Sequence, residues 1–331
     1  MPQEKKGISV VIPNYNGEYL LPEIFPTLFI ALKNSNLPYE IIMSDDCSTD
    51  NSVIFVLQNF PEVIVLKNDI NKGFSNTINK GIFLAQYSYL LLLNSDVKLT
   101  ENYFKTLFPY FEMEETFGVM GRIVGWESDA IQDGAKYPSF HGTKIKTNGN
   151  YIPIHPQVNE KLFSMYLSGA NALVSRQKIL KLGGFNELFS PFYVEDFELS
   201  LRAWRLGWKC YYDHKSICKH KTSTTIKNNS HKNYIKKIYN RNKMILHAIH
   251  LPKNKLWLWQ FQLFGETIFQ TLLGKFWFAA SVKMYLSNLK NVSASRKKFE
   301  KLGQAEGQMI SVKDVIQKIL NEISKIEVKK F

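Results

Sequence analysis

The strongest constraint on the fold is an alternation of short apolar runs with segments of helical periodicity in the N-terminal third of the chain. The apolar runs are rich in β-branched and aliphatic side chains and have the length of fully buried strands: Ile8 to Pro13, Glu40 to Ser44, Val63 to Leu66 and Tyr89 to Asn94. Apolar residues at helical spacing fill the intervals 19–33, 51–60 and 75–85. This alternation predicts an α/β fold with a mostly parallel, Rossmann-like sheet flanked by helices.

Polar side chains follow three of these predicted strands at the point where each strand ends. The clusters are Asn14-Tyr15-Asn16, Asp45-Asp46 and Asn94-Ser95-Asp96. Open α/β sheets bind ligands at the carboxyl ends of their strands, so we expect the three clusters to line one site.

Asp96 is a candidate metal ligand because an apolar strand delivers its carboxylate to this edge of the sheet. Mg²⁺ and Mn²⁺ prefer oxygen ligands and commonly combine one or two carboxylates with substrate phosphates. Asn, Ser and Asp also favour turns, so an ordinary strand-end turn is the alternative interpretation.

A second acidic cluster, Glu195-Asp196, is flanked by aromatic residues and opens a segment of helical spacing at 196–206. Apolar surroundings raise the pKa of a carboxyl group, which suits a general base. Acidic residues in a first helical turn also offset the helix dipole, so capping is the alternative. Further along the chain, His220 could complete a metal site as a neutral imidazole, although a lone histidine is commonly only a surface residue.

Together these motifs resemble the family 2 glycosyltransferases, which have the glycosyltransferase-A fold, and especially their bacterial rhamnosyltransferase-like branch. The resemblance spans about residues 8–250. VVIPNYNG is similar to the family's opening strand and loop, SDDCSTD to its base-binding motif and LLLLNSD to its metal motif. FYVEDFELSLRAWRLGW resembles its catalytic motif. Each motif alone is weakly specific, whereas their combination in this order is highly specific.

The resemblance also implies roles for individual residues. Asp196 would be the catalytic base, and Glu195 would support it or contact the acceptor. Asp96 and His220 would bind Mg²⁺ or Mn²⁺. Asn94 stands where many family members carry a first aspartate, which leaves Asp96 as the sole carboxylate ligand. Tyr15 would stack on the base of the donor. The implied donor pocket consists of Pro13, Tyr15, Asn16, Asp45, Asp46, Asn71, Lys72, Gly73, Asn79, Asn94 and Ser95.

The implied reaction is a metal-dependent transfer of a hexosyl or rhamnosyl group by a single in-line displacement that inverts the anomeric configuration. The expected donor is a nucleotide diphosphate sugar, either a dTDP-sugar or a UDP-sugar. The expected acceptor is a hydroxyl of a lipid-linked or polysaccharide glycan in bacterial surface glycan biosynthesis.

We expect a catalytic domain at residues 1–250, with a nucleotide-sugar half at 1–117 and an acceptor and catalytic half at 118–250. Scattered Gly, Pro and His residues predict loops and short strands from 118 to 159. The chain after Lys227 has a wholly helical pattern, so residues 251–331 are predicted to form a C-terminal helical extension.

The formal net charge of +13 is unevenly distributed along the chain. Acidic residues slightly outnumber basic residues up to residue 204, and basic residues predominate afterwards. This asymmetry indicates an anionic partner such as phospholipid head groups, a lipid diphosphate or nucleic acid, unless the basic face is merely solvated. We expect an anionic membrane surface and no nucleic acid.

Residues 256–286 are rich in Trp, Phe and Leu, but Glu266, Lys275 and Lys283 interrupt them. No uncharged run reaches the roughly 18 residues of a spanning helix. The segment therefore predicts either an interfacial helical hairpin on the membrane or a helical subdomain packed on the core or on a second subunit. The predicted final helix at 312–326 is a candidate for homo-oligomer formation.

The three cysteines form no CxxC pair, and the N-terminus lacks the apolar region of a signal peptide. We therefore expect a cytoplasmic protein that associates peripherally with the inner face of the cell membrane. Two other classes stay open. A sugar nucleotidyltransferase would need a Gly-rich basic phosphate loop, which we do not find after the first strand, and a non-catalytic membrane- or nucleic-acid-binding protein with a degenerate transferase domain would show no turnover. A dehydrogenase is disfavoured because VVIPNYNG lacks GxGxxG.

Overall fold

Strands and helices alternate through the N-terminal part of the chain, as predicted. The computed structural model describes residues 5–155, 161–221 and 232–331. Its first elements are β1 Lys5–Asn14, α1 Leu21–Asn34, β2 Tyr39–Asp45, α2 Ser52–Asn59, β3 Ile64–Lys67, α3 Phe74–Leu84 and β4 Tyr87–Leu93. β1 pairs in parallel with β2 and β4, and β2 pairs in parallel with β3. The predicted α/β class is confirmed.

The middle of this sheet is covered on both faces. Val10 and Val11 of β1 and Leu91 of β4 are completely buried, although neighbouring side chains on a strand point to opposite faces. On one face, α1 buries a stripe at helical spacing that includes Phe25 and Leu28. Continuous apolar strands are typical of such doubly covered parallel sheets.

The prediction that every early strand is fully buried was wrong for β3. This strand lies at the edge of the sheet, where Ile64 is 38% exposed and Val65 and Leu66 are only partly buried. An edge strand has a pairing partner on one side alone, so an apolar run of this length does not reveal its position in the sheet.

The same sheet continues beyond β4 with strands that alternate less regularly. They are β5 Val97–Leu99, β6 Thr116–Gly125, β7 Ile131–Asp133, β10 Leu162–Phe163, β11 Asn171–Ser175 and β12 Lys209–His220. Its main path runs β10-β12-β6-β11-β4-β1-β2-β3, with β5 on β12 and β7 on β6. Helices α4 Arg176–Leu182 and α5 Glu195–Arg205 precede β12.

The expectation of loops and short strands at 118–159 was wrong in its details up to residue 155, and residues 156–159 lie outside the described residues. β6 is a ten-residue interior strand, and β8 Ala135–His141 forms a hairpin with the ten-residue β9 Lys144–Pro153. Glycines dilute the apolar pattern of β6, and β8 and β9 contain exposed polar residues, so neither pattern resembles a fully buried strand.

Helices dominate the C-terminal part of the chain. They are α6 Lys232–His250, α7 Lys253–Leu272, α8 Phe276–Leu286, α9 Leu289–Ala305 and α10 Val312–Ile323. Residues 228–231 of the predicted helical region lie outside the described residues. Within the described ranges we find no helix whose length and apolar character would suffice to span a lipid bilayer.

The prediction of a wholly helical C-terminus was wrong at its end, because β13 Val328–Lys330 pairs with β9 in a second, three-stranded sheet. The last helix, α10, buries Val315, Ile316 and Ile319 within the chain. The apolar face that we considered for dimerisation is therefore used to pack this extension onto its own chain.

Candidate active site

The ends of β1, β2 and β4 converge on a cleft with a volume of about 540 Å³. It brings together most of the site residues that the sequence predicted: Pro13, Tyr15, Asp46, Asn71, Gly73, Asn94, Ser95, Asp96, Glu195 and Asp196. Residues far apart in the chain thus line one space.

Asp45 organises the loops around the cleft without lining it. Its Oδ1 atom accepts hydrogen bonds from Asn14 Nδ2 (2.9 Å) and Ser48 Oγ (2.5 Å), and its Oδ2 accepts from the Ser48 N–H (2.9 Å). Asn16 likewise ties two loops together, because its Oδ1 accepts from the Thr49 N–H at 2.8 Å. Both residues were predicted to bind the donor.

Asp46 fixes the segment between β3 and α3 that forms one wall of the cleft. Its Oδ1 and Oδ2 atoms accept hydrogen bonds from the backbone N–H groups of Lys72 and Gly73, each at 2.8 Å. Lys72 therefore contributes its backbone, and its side chain is not part of the lining. Asn79 lies outside the cleft. Its Oδ1 accepts a hydrogen bond from the Phe185 N–H at 2.8 Å, and its Nδ2 donates to the Phe185 carbonyl at 2.9 Å.

Gly73 occupies a position that requires glycine. Its φ of 82° lies in the left-handed region, and a Cβ atom there would come within 2.6 Å of the Pro191 Cα. The adjacent Phe74 N–H donates to the Pro191 carbonyl at 2.9 Å. The donor-side wall thus contacts the loop that precedes Glu195 and Asp196.

Asp96 and His220 meet because β5 and β12 are antiparallel neighbours. The register pairs His220 with Val97, the residue that follows Asp96, and His220 Nε2 lies 3.4 Å from Asp96 Oδ2. Burial would lower the pKa of His220, but the hydrogen bond and the negative charge of Asp96 outweigh it and raise the pKa above its usual value. Asp96 lines the cleft, and the imidazole of His220 lies beside its carboxylate without being part of the lining.

The side-chain oxygen and nitrogen atoms around Asp96 suit the binding of a divalent cation. Asp96 Oδ1 and Asn94 Oδ1 are buried and accept no hydrogen bond. His220 Nδ1 lies 3.1 Å from Gln132 Oε1, an arrangement that orients an imidazole so that its Nε2 is available as a ligand. The described residues contain no cluster of three or more His, Cys, Asp or Glu side chains that could hold a metal ion.

Glu195 and Asp196 stand side by side in the first turn of α5. Burial raises the pKa of Asp196 to about 6, despite hydrogen bonds from the Phe197 and Gly169 N–H groups and the positive charge of Lys136, which lower it. Burial and the neighbouring Asp196 raise the pKa of Glu195 well above its usual value. Both carboxyl groups are therefore harder to ionise than exposed ones.

The loop before α5 has a strained backbone. Tyr193 and Val194 have φ values of 73° and 74°, a region that is unfavourable for side chains other than glycine and especially for β-branched ones. Three carbonyls of this loop, those of Phe189, Phe192 and Tyr193, accept hydrogen bonds from Asn242 Nδ2 at 2.6, 3.0 and 2.8 Å. A fully buried amide on α6 thus holds the backbone that leads into Glu195 and Asp196.

Several lining residues were not predicted from the sequence as site residues. They are Thr77, Ser168, Gly169, Ala170, Pro191, Phe192, Tyr193 and Tyr234. Phe192 and Tyr193 stand within the quoted FYVEDFELSLRAWRLGW motif, which was a signal for them, whereas Tyr234 comes from α6 and carries no motif.

Comparison with known proteins shows the family of the chain. Residues 9–183 match the family model described as glycosyl transferase family 2. The chain belongs to this family. The family 2 chain is 28% identical over 186 residues to glycosyltransferase GlyG of Streptococcus pneumoniae serotype 4, a match that covers 55% of this chain and 58% of that protein. It is 24% identical over 246 residues to the N-acetylglucosaminyl-diphospho-decaprenol L-rhamnosyltransferase of Mycobacterium tuberculosis, covering 66% of this chain and 77% of the relative.

The fold of the family 2 chain is similar to that of GalNAc-T7 in its crystal structure with UDP, GalNAc and Mn²⁺. The TM-score is 0.66 at 14% sequence identity, over 98% of this chain and 58% of that chain. This likeness is one of fold. The predicted family and its glycosyltransferase-A fold are thus confirmed, and the chain spans less than two thirds of the length of both GlyG and GalNAc-T7.

Proposed function

We propose that the chain transfers a hexosyl or rhamnosyl group from a dTDP- or UDP-linked donor to a hydroxyl of a lipid-linked or polysaccharide acceptor, with inversion of configuration. The observation that carries the proposal is one cleft that joins Asp96, beside His220, to Asp196 with its raised pKa. The first pair suits a diphosphate with its cation, and Asp196 suits a hydroxyl that must lose a proton.

Asp196 acts as the general base. It takes the proton of the acceptor hydroxyl as that oxygen attacks the anomeric carbon, opposite the bond to the leaving diphosphate. A pKa of about 6 keeps Asp196 ionised at neutral pH and still basic enough to accept a proton. Burial and the negative charge of Asp196 raise the pKa of Glu195, so Glu195 loses its proton less readily than an exposed glutamate.

Asp96 and His220 are the residues that would hold Mg²⁺ or Mn²⁺, together with diphosphate oxygens of the donor. When bound, the ion neutralises negative charge that develops on the leaving diphosphate. The unpartnered oxygens of Asp96 and Asn94 support this role, as does the Mn²⁺ in the GalNAc-T7 structure.

The donor base would lie against Tyr15, with Asp46 and Asn71 on the adjoining wall. UDP in the GalNAc-T7 structure supports a pyrimidine nucleotide, and the named activity of the mycobacterial relative supports a rhamnosyl group and a lipid diphosphate acceptor. A lipid-linked acceptor makes peripheral association with the inner face of the cell membrane part of the same proposal.

Thermal unfolding in the presence of nucleotides tests the donor site. UDP, dTDP, GDP and CDP would each be added with and without Mn²⁺, because a ligand that binds the native state raises its stability by about 2.7 kcal/mol at a hundredfold excess over Kd. We expect the midpoint to rise by about 4 °C with UDP or dTDP, and only when Mn²⁺ is present. Transfer would then be measured with the corresponding nucleotide sugars.

Asp96→Asn is the matched variant for this experiment, since asparagine keeps the shape and removes the charge. We expect it to lose the Mn²⁺-dependent part of the shift, whereas Asp314→Asn, on the exposed side of α10, keeps it. If no nucleotide raises the midpoint under either condition, the donor site is refuted.

A further inference from the structure

The helix α7 exposes a row of large apolar side chains to solvent. Trp257, Phe261, Phe264, Ile268 and Leu272 follow one another at intervals of three or four residues and are between 48% and 81% exposed. Residues at this spacing share one side of a helix. We call this row the α7 face.

The opposite side of α7 packs on the protein through Trp259 and Leu263, which are buried. The helix is therefore packed on the protein, and the row is exposed although the helix itself is held in place. The apolar surface continues through Leu273 and Phe276, which are 53% and 68% exposed, at the turn into α8. Contiguous exposed apolar surface of this kind marks an interaction site.

The charges around the α7 face identify the partner that fits it. Residues 253–290 contain five lysines, all exposed, at positions 253, 255, 275, 283 and 290. The one acidic residue within 253–290, Glu266, forms an ion pair with Lys144 of the β8–β9 hairpin. Apolar side chains bordered by uncompensated lysines complement anionic lipid head groups above an acyl layer. A second copy of the same face would bring like charges together.

Contacts of α6 link the wall of the cleft to α8, the helix that follows the α7 face. Tyr234 of α6 lines the cleft and lies 6.3 Å from the Phe192 ring. Two residues further on, Lys236 Nζ lies 5.6 Å from the ring of Trp277 in α8. One short segment of α6 thus contacts both the cleft and Trp277, the neighbour of the exposed Phe276.

We propose that the α7 face docks on an anionic membrane surface, with Trp257, Phe261 and Phe264 among the acyl chains and the lysines at the head groups. This orientation brings the cleft to the lipid surface, where an acceptor carried on a lipid diphosphate would enter past Tyr234. The docking stands on the surface alone, and the delivery of the acceptor rests on the proposed function.

Sedimentation of the full chain with vesicles tests the docking. Vesicles of phosphatidylcholine with phosphatidylglycerol should bind the protein, and vesicles of phosphatidylcholine alone should bind it far less. The triple variant Trp257→Ser, Phe261→Ser, Phe264→Ser should lose at least ~10-fold in affinity, because each aromatic side chain contributes apolar area that leaves water on insertion. Replacing Lys253, Lys255 and Lys275 with Gln should cost about fivefold each.

The control is Ile54→Ser with Leu57→Ser on α2, two apolar side chains that are each 55% exposed on the nucleotide half. This variant should bind vesicles like the wild type. Equal binding by the aromatic triple variant overturns the docking proposal. The proposal is also overturned if the wild-type protein does not bind anionic vesicles and sediments as a dimer, whereas the triple variant sediments as a monomer.

Nucleotide binding distinguishes this proposal from the proposed function. The triple variant should keep the Mn²⁺-dependent thermal shift with UDP or dTDP, and it should lose transfer to an acceptor embedded in vesicles while retaining transfer to a short-chain, water-soluble analogue. Equal loss with both acceptors overturns the delivery of the acceptor by this face. If no nucleotide raises the unfolding midpoint of the wild type, the donor site is refuted, whereas the conclusion on membrane docking still depends on the vesicle experiment alone.

Discussion

Replacing Asp196 with asparagine should make the protein more stable and abolish its transferase activity. Asparagine has the shape of aspartate and retains the Oδ1 atom that accepts from the Phe197 N–H at 2.7 Å. It removes the negative charge that burial makes unfavourable. A residue that only packs or caps the helix would not combine higher stability with lost activity.

The magnitude follows from the shift of the Asp196 pKa from 3.8 to about 6 on folding. Because the folded-state pKa is raised, the stability associated with the protonated group is fully present below pH 3.8 and is lost as pH rises through 6. At pH 7 the ionised group lowers the free energy of unfolding by about 3 kcal/mol. The gain on substitution should fall to about 1.6 kcal/mol at pH 5 and to about 0.5 kcal/mol at pH 4.

Thermal unfolding from pH 4 to pH 7 measures this gain. For a chain of 331 residues, 3 kcal/mol corresponds to a rise of about 4 °C in the midpoint. The exposed Asp314→Asn variant should show no comparable rise at any pH. A midpoint for Asp196→Asn at or below the wild-type value throughout this range would refute the raised pKa.

Activity supplies the second measurement on the same variant. Transfer should fall by about 10² to 10⁴, the usual contribution of a general base, while the nucleotide-induced thermal shift is retained. In the wild type, kcat/KM should rise with pH through about 6, because only ionised Asp196 can accept a proton. Full transfer by the asparagine variant would exclude Asp196 as the base.

Two further substitutions test how the site is held in place. Asn242→Asp removes the donor to three loop carbonyls and should lower kcat with little change in nucleotide affinity, in addition to destabilising the fold by roughly 2–4 kcal/mol. Asn171→Asp, at another fully buried amide, should destabilise the fold without lowering the kcat of the folded protein, and equal kcat losses in the two variants would contradict a positioning role for Asn242. Gly73→Ala should cost roughly 1–3 kcal/mol and weaken nucleotide binding, because its Cβ would meet the Pro191 backbone at 2.6 Å. Gly265→Ala, in α7 with no atom near the new Cβ, should instead stabilise by about 0.5–1 kcal/mol, measured by denaturant unfolding.

Local patterns predicted the elements that carry most of the cleft. The apolar runs before Asn14, Asp45 and Asn94 are buried on both faces in the finished sheet, so their hydrophobicity is visible without knowledge of their neighbours. The helical spacing after Glu195 likewise placed the acidic pair at a helix start. The carboxyl ends of parallel strands share one edge of the sheet, which is why the sequence alone groups these residues.

Strands with mixed composition were harder to recognise. β12, with the sequence KCYYDHKSICKH, pairs with β6, β10 and β5, yet its polar residues hide the strand pattern. The polar side chains of β12 are hydrogen-bonded to specific partners. Thr106 Oγ1 and Tyr110 Oη, for example, donate to the Asp213 carboxylate at 3.0 and 3.1 Å. Partners more than a hundred residues away leave no local signature.

The sequence by itself determined the α/β alternation, the polar strand ends and the acidic pair at the start of α5, because each depends on residues close together in the chain. Only the tertiary structure decided that His220 faces Asp96, that Asn79 bonds Phe185 outside the cleft, and that Asn242 holds the loop before the base. Those outcomes depend on strand register and helix packing. They arise from the summed burial of the whole core, which no single segment of the chain encodes.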